Sequence, residues 1–159
     1  HALGIRLQAE DAVAIVRAAT AAAAPRYEQT GRRLELDVPD DVVKVQADAV
    51  RLGQVLANLL DNALRHTRTR VDVALHVVDA HVVITVADDG DGIPVDQLDA
   101  VFRRFHRVDP ARASLDGSGS GLGLTIARAI VLEHGGSIMA TAPHEGGARF
   151  VVTLPSTAG

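Results

Sequence analysis

The sequence predicts an α/β fold: a two-layer sandwich in which one mixed sheet of about five strands carries about three helices on one face. Three observations predict it. Segments of helical character alternate with segments of two-residue apolar alternation along the 159 residues. Two pairs of apolar runs are separated by tight-turn signals, the pattern of antiparallel hairpins. Apolar residues make up 47% of the chain but aromatics only 3%, so the layers must close over Val, Leu, Ile and Ala.

Residues 9–29 are alanine-rich and helical by propensity, and Gly31 stops that helix. RRLELDV, residues 32–38, alternates as a half-buried strand that Pro39 ends, and VVKV, residues 42–45, is a second short strand. Asp48 stands near the start of a long helix running to about His66, whose Leu52, Leu56, Leu59 and Ala63 share an apolar face. Residues 71–79 and 81–89 form a hairpin about Asp79-Ala80. A short acidic helix follows Pro94, residues 105–120 are irregular, and a helix after Gly121 ends at His134-Gly135-Gly136. SIMATAP and ARFVVTLP close the chain as a hairpin around Glu145-Gly146-Gly147. Internal repeats and clear linkers are absent.

This length fits a single domain, residues 1–159. The net charge of −4 argues against a nucleic-acid partner. Without cysteine, neither a disulfide framework nor a Cys metal site can form. No window of 18 apolar residues spans a membrane, and no signal peptide is visible. The chain begins at His1, so a fragment of a longer protein is expected.

Three stretches carry chemistry. GSGSGLGL, residues 117–124, runs straight into a helix. Alone it reads equally as a flexible linker or as a phosphate cradle, since a helix start offers free N–H donors and partial positive charge. It lacks the Lys-Ser/Thr of a P-loop and the spacing of a dinucleotide fingerprint. In the long helix, Gln54, Asn58, Asn62 and His66 ladder up one face at intervals of four. They are either a solvated face or neutral oxygens for magnesium, which needs only one or two protein groups beside water and phosphate. Asparagine is a weak helix former, which makes two of them a poor fit to a merely solvated face. Asp61 and Arg65 read most simply as an i,i+4 ion pair, with a phosphate as a further target for Arg65. In VADDGDGIP, residues 86–94, Asp88 ends a strand and Gly90 and Gly92 follow. That is a surface turn, or a carboxylate placed to accept from a base's exocyclic amine beside glycines that admit a flat ring.

Taken together, Asn58-x-x-x-Asn62, Asp88-x-Gly90-x-Gly92 and Gly119-x-Gly121-x-Gly123, in this order and in matching helix, strand-end and loop–helix contexts, resemble the catalytic, ATP-binding domain of bacterial sensor histidine kinases. That domain belongs to the superfamily it shares with type II topoisomerases, a heat-shock chaperone and mismatch-repair ATPases. VFRRFHRVD at residues 101–109 is similar to the kinases' phenylalanine-containing box, and EHGG and FVVTLP also match. The resemblance covers residues 11–155 and implies the Bergerat-type ATP fold, with ATP and Mg as cofactors. It implies Asn62 as principal magnesium ligand with Asn58 beside it, and Asp88 as the adenine-reading carboxylate. Gly90 and Gly92 would line the base pocket with Ile93 near the ring, and Arg65 and His66 would meet sugar and phosphate. Residues 105–120 would be a lid carrying Phe105, with Arg107 and Arg112 placed to meet the β- and γ-phosphates. Gly119, Gly121 and Gly123 would let the amides near Leu122 cradle the phosphate tail, joining a moving lid to a fixed helix start.

Two positions depart from the family pattern: Asp89 replaces a common Asn and adds negative charge near the base, and His66 replaces a common aromatic. Hydrolytic relatives carry glutamate at the position of Asn58, and an amide cannot take a proton from water. The resemblance therefore implies transfer of the γ-phosphate to a histidine on a separate dimeric helical domain, and onward to a response regulator's aspartate. None of the seven histidines here has the phosphoacceptor pattern. His76 and His81 read as surface residues, His134 as complementing a helix dipole, His1 and His144 as exposed, and His106 as packing beside Phe105. The whole protein is expected to be an inner-membrane sensor with this domain in the cytoplasm, reaching the membrane only through an N-terminal part. Rival readings are an anti-sigma protein-serine kinase, a hydrolytic ATPase and a non-catalytic interaction module.

Overall fold

The structure, a computed structural model, describes residues 4–103 and 122–156. Its main sheet has five strands in the order β2-β4-β5-β7-β6. They are β2 (Arg33–Asp37), β4 (Arg70–Val78), β5 (His81–Asp88), β6 (Ser137–Thr141) and β7 (Arg149–Pro155). The β2–β4 pair is parallel and the other pairs are antiparallel, which makes the sheet mixed as predicted. Along the central strands Val71, Val73 and Leu75, Val82, Ile84 and Val86, and Phe150, Val152 and Leu154 are buried, while their alternating neighbours are not. This two-residue period places one face of the sheet on the core.

Three helices among the described residues cover that face: α1 (Ala12–Gln29), α2 (Ala49–His66) and α3 (Gly123–Glu133). Helix α2 buries Leu52, Leu56, Leu59 and Ala63, the predicted apolar face. Its start is capped by Asp48, whose Oδ1 accepts from the Arg51 amide at 3.1 Å. Helix α1 is tied to α2 by Tyr27, whose hydroxyl donates to the Leu60 carbonyl at 2.8 Å, and by an ion pair from Arg26 to Asp61. Burial, reinforced by the nearby Asp61 charge, pushes the Tyr27 hydroxyl's pKa up, so it stays a donor. Phe102 and Phe150 meet edge to face, with centroids 5.9 Å apart.

The hairpin turn falls where predicted. Asp79 and Ala80 both take positive φ, at 48° and 64°, as a two-residue turn between twisted strands requires. Gly31 also ends α1 with φ 71°. Three boundaries differ from expectation. The segment read as the first turn of α1 includes strand β1 (Gln8–Asp11), because Asp11 is the cap: its Oδ1 accepts from Val13 N at 3.0 Å and Val43 N at 3.1 Å. The strand expected at 42–45 is β3 (Lys44–Ala47), which pairs antiparallel with β1 in a separate two-stranded sheet. The acidic segment after Pro94 forms only single 3-10 turns, Val95–Gln97 and Ala100–Phe102.

Candidate functional site

One face of α2 links the two ends of the candidate site. Near its middle, Asn58 donates from Nδ2 to the carbonyl oxygen of Gly123, the first residue of α3, at 3.0 Å. At its end the His66 carbonyl lies so close to Gly90 that a Cβ there would sit 1.9 Å from the oxygen. Residues 58, 62 and 66 share a helix face, so these contacts lie about 12 Å apart along it with Asn62 midway. Asn62 is only 8% exposed.

Asp88 closes β5 and is 7% exposed. Its Oδ1 accepts from Gly90 N at 2.8 Å and from Ala148 N at 3.4 Å, and its own amide donates to the Ala148 carbonyl at 2.9 Å. Both amides converge on one oxygen, which leaves Oδ2 for another donor. Burial raises the Asp88 pKa; the two amides partly offset it, and the charge of Asp89 adds to the rise.

Asp89 faces the other way. Its Oδ1 accepts from the Thr67 hydroxyl at 2.6 Å, Arg68 N at 2.8 Å and Thr69 N at 3.0 Å, and the Thr69 hydroxyl donates to Oδ2. Desolvation works to raise its pKa, but the threonine hydroxyls and the backbone amides outweigh it and hold the carboxyl below the ordinary range. The added charge read from the sequence does reach Asp88, while the side chain itself binds the loop between α2 and β4.

The glycines after Asp88 have more specific duties than making room for a ring. Gly90 permits the approach of the His66 carbonyl, and Gly92, at φ 83°, packs on the Gly147 carbonyl. Ile93 is partly buried against the core. Two residues of this end were missed in the sequence, Gly147 and Ala148. A Cβ on Gly147 would sit 1.9 Å from the Asp88 carbonyl oxygen, and φ there is 75°. Only the Gly146-Gly147 pair signalled them, and it reads as an ordinary hairpin turn.

At the start of α3, Leu122 is the N-cap and supplies no side-chain bond, so the first-turn amides are not capped from that position. Thr125 donates from its hydroxyl to the Phe102 carbonyl at 2.9 Å, anchoring this turn. Arg65 and His66 lie in the last turn of α2. His134 stands at the end of α3 as expected, with Nδ1 2.8 Å from the Ile130 carbonyl; it is also buried, and its Nε2 accepts from the Asp48 amide at 3.0 Å. Phe105, Arg107, Arg112, Gly119 and Gly121, with the rest of the expected lid, lie outside the described residues.

An α/β sandwich with a buried strand-end carboxylate and an amide-bearing helix beside it defines a domain of the sensor histidine kinase type. The solved mycobacterial sensor histidine kinase MprB shares it at TM-score 0.79, with 29% identity over 95% of this chain and 98% of that one. Full-length ShkA, solved in complex with AMPPNP, matches at TM-score 0.84 and 26% identity, over 100% of this chain and 33% of that one. The sensor histidine kinase CusS of Escherichia coli (strain K12) is 41% identical over 127 residues, 79% of this chain. The chain thus spans about a quarter of that relative's length, 26%. Residues 47–158 match the histidine kinase-, DNA gyrase B- and HSP90-like ATPase family, and the chain belongs to it. None of the helices among the described residues is long and apolar enough to cross a membrane.

Proposed function

We propose that this domain binds Mg-ATP and donates the γ-phosphate to a histidine on a separate dimerisation and phosphoacceptor domain of a longer sensor protein, from which phosphate passes to a response regulator. The observation that carries the reading is Asp88: a carboxylate kept buried at the cost of desolvation, one oxygen fixed by two amides and the other left for a donor such as an adenine amine. The α2 face then leads past Asn62 to the start of α3, where backbone amides suit a phosphate tail.

The residues present fit magnesium. Asn58 and Asn62 offer neutral amide oxygens on one helix face, and the ion takes its remaining ligands from water and phosphate. Bound there, magnesium would neutralise charge on the transferring phosphoryl group. Asn58 cannot act as a general base, and its amide nitrogen is already given to Gly123, so the site favours transfer over hydrolysis. Arg107 and Arg112 are assigned to the phosphates through the family resemblance alone.

Calorimetric titration of ATP with and without magnesium tests the site. The parent chain should bind in both conditions and more tightly with magnesium. Asn62→Ala should keep the magnesium-free affinity and lose most of the magnesium gain, about tenfold. Equal magnesium gains in parent and variant would remove Asn62 from the ion. Adding the helical domain should then yield acid-labile phosphohistidine; an acid-stable product would point to a serine kinase, and phosphate release without a phosphoprotein to an ATPase.

A further inference from the structure

Helices α2 and α3 are joined by a second tie, far from the Asn58–Gly123 bond, and its chemistry is specific. Asp48 caps α2: its Oδ1 accepts from Arg51 N at 3.1 Å and its Oδ2 from Arg6 N at 3.1 Å. Its own backbone N–H still needs an acceptor. In a capping box, a Glu or Gln at the third helical position reaches back to supply it. Here that position is Arg51, whose guanidinium has no lone pair to offer. The acceptor comes instead from α3, where the buried His134 takes the Asp48 N–H on Nε2 at 3.0 Å.

The other ring nitrogen is committed as well. Nδ1 lies 2.8 Å from the carbonyl oxygen of Ile130, in the last turn of α3. A carbonyl only accepts, so Nδ1 must carry the proton, and an amide only donates, so Nε2 must be bare. One neutral tautomer satisfies both bonds. The other tautomer would set N–H against N–H at Asp48 and lone pair against lone pair at Ile130, and the doubly protonated ring would lose the Asp48 bond. A single imidazole thus serves an orphan donor at the start of α2 and a carbonyl at the end of α3.

The two ties match in length. From Asp48 to Asn58 α2 advances about 15 Å, and from Gly123 to His134 α3 advances about 16 Å in the opposite sense. Fastened at both points, the antiparallel helices cannot slide past one another. We infer that His134, as the Nδ1-protonated tautomer, is a positioning residue that clasps α3 to the cap of α2 and so sets the axial register of Asn58 and Asn62 against the start of α3. Its effect on ligand rests on the nucleotide reading of that site, whereas the clasp itself does not.

The tautomer is read by long-range 1H–15N correlation of the His134 ring in the parent chain. A protonated Nδ1 and a bare Nε2 are expected; the reverse tautomer, or a ring averaging between the two, overturns the inference. Two variants then separate the bonds from bulk. His134→Leu keeps volume and loses both bonds, while His134→Gln keeps a carbonyl oxygen for Asp48 and an amide N–H for Ile130. Exchange of the Asp48 amide should quicken about tenfold in His134→Leu and by no more than about threefold in His134→Gln. With ADP as probe, affinity should weaken about tenfold in the Leu variant and return to within about threefold in the Gln variant. Equal losses in the two variants would make the ring a packing element and sink the proposal. A parent chain that fails to bind ADP would instead overturn the nucleotide reading, and the ring spectrum and Asp48 exchange would still decide the clasp.

Discussion

Asp88 and Asp89 are consecutive carboxylates at the end of one strand, and the fold uses them in opposite ways. Asp88 turns into the protein, accepts two amides on one oxygen and has its pKa raised by burial. Asp89 turns to the loop after α2, accepts from two threonine hydroxyls and neighbouring amides, and has its pKa lowered by them. Asp88 is the last residue of β5 and continues its buried alternation, while Asp89 begins the loop beyond it. What decides their fates is what each one meets. Asp89 is a structural anion whose bonding is complete. Burial disfavours the charged form of Asp88, and both of its amide donors sit on Oδ1.

The largest test of this contrast leaves both aspartates in place. Gly147→Ala would put a Cβ 1.9 Å from the Asp88 carbonyl, at a backbone φ of 75°. Neither partner is a flexible side-chain end, so the loop must shift. Overpacking and the left-handed backbone together should lower stability by about 3 kcal/mol, read by urea unfolding. The Ala148 amide would leave Asp88 with it. A variant as stable as the parent would show that the β6–β7 loop does not hold Asp88 in place.

Next comes Asp88→Asn. The amide oxygen can still accept from Gly90 and Ala148, while the NH2 at the other position repels a donor. Nucleotide affinity should fall about 100-fold, a charge-assisted bond lost and a mismatch gained. The fold should be at least as stable at neutral pH, because an uncharged group replaces a buried charge. Unchanged affinity in calorimetry would take the base-reading role from Asp88.

Asp89→Ala is the structural counterpart. It strips acceptors from Thr67, Arg68 and Thr69, and should cost about 2 kcal/mol once discounted for the water that reaches this carboxylate. Nucleotide affinity should change by no more than about threefold. A large binding loss with little destabilisation would exchange the roles of the two aspartates.

The two also differ in how visible they were before the fold was known. The place of Asp88 at the end of β5 was legible because an apolar alternating run stops there before two glycines. The direction of Asp89 was not, since its partners lie some twenty positions earlier in a loop without a pattern. The same rule covers the rest of the molecule. Helix α2 and the β4–β5 hairpin were readable from local signals, Asp48 with its leucine stripe and the Asp79-Ala80 turn. Strand β1 was hidden, because QAED has no alternation and adjoins an alanine-rich helix. His134 lay next to a helix end and invited a dipole reading, while its partner Asp48 is 86 positions away. Local periodicity marks elements; contacts between distant segments give single residues their roles.

The smallest effect is the sharpest on sign. A carboxyl whose folded pKa is raised binds its proton more tightly when folded. Asp88 therefore costs stability above its folded pKa, and that cost is relieved as pH falls toward about 4, the unfolded value. A carboxyl whose folded pKa is lowered does the reverse. Asp89 contributes stability above about pH 4 and loses it as pH falls through the range below. Measured against the parent at pH 7, Asp88→Asn should thus be neutral or stabilising and Asp89→Asn destabilising. Acidification should shrink both differences, the first above about pH 4 and the second below it. The Asp88 difference should be about 1 kcal/mol or less, since its amides offset part of the burial. Two differences of the same sign at neutral pH, or a single common titration window, would show that the neighbouring carboxylates share one environment and that their opposite facing has no energetic consequence.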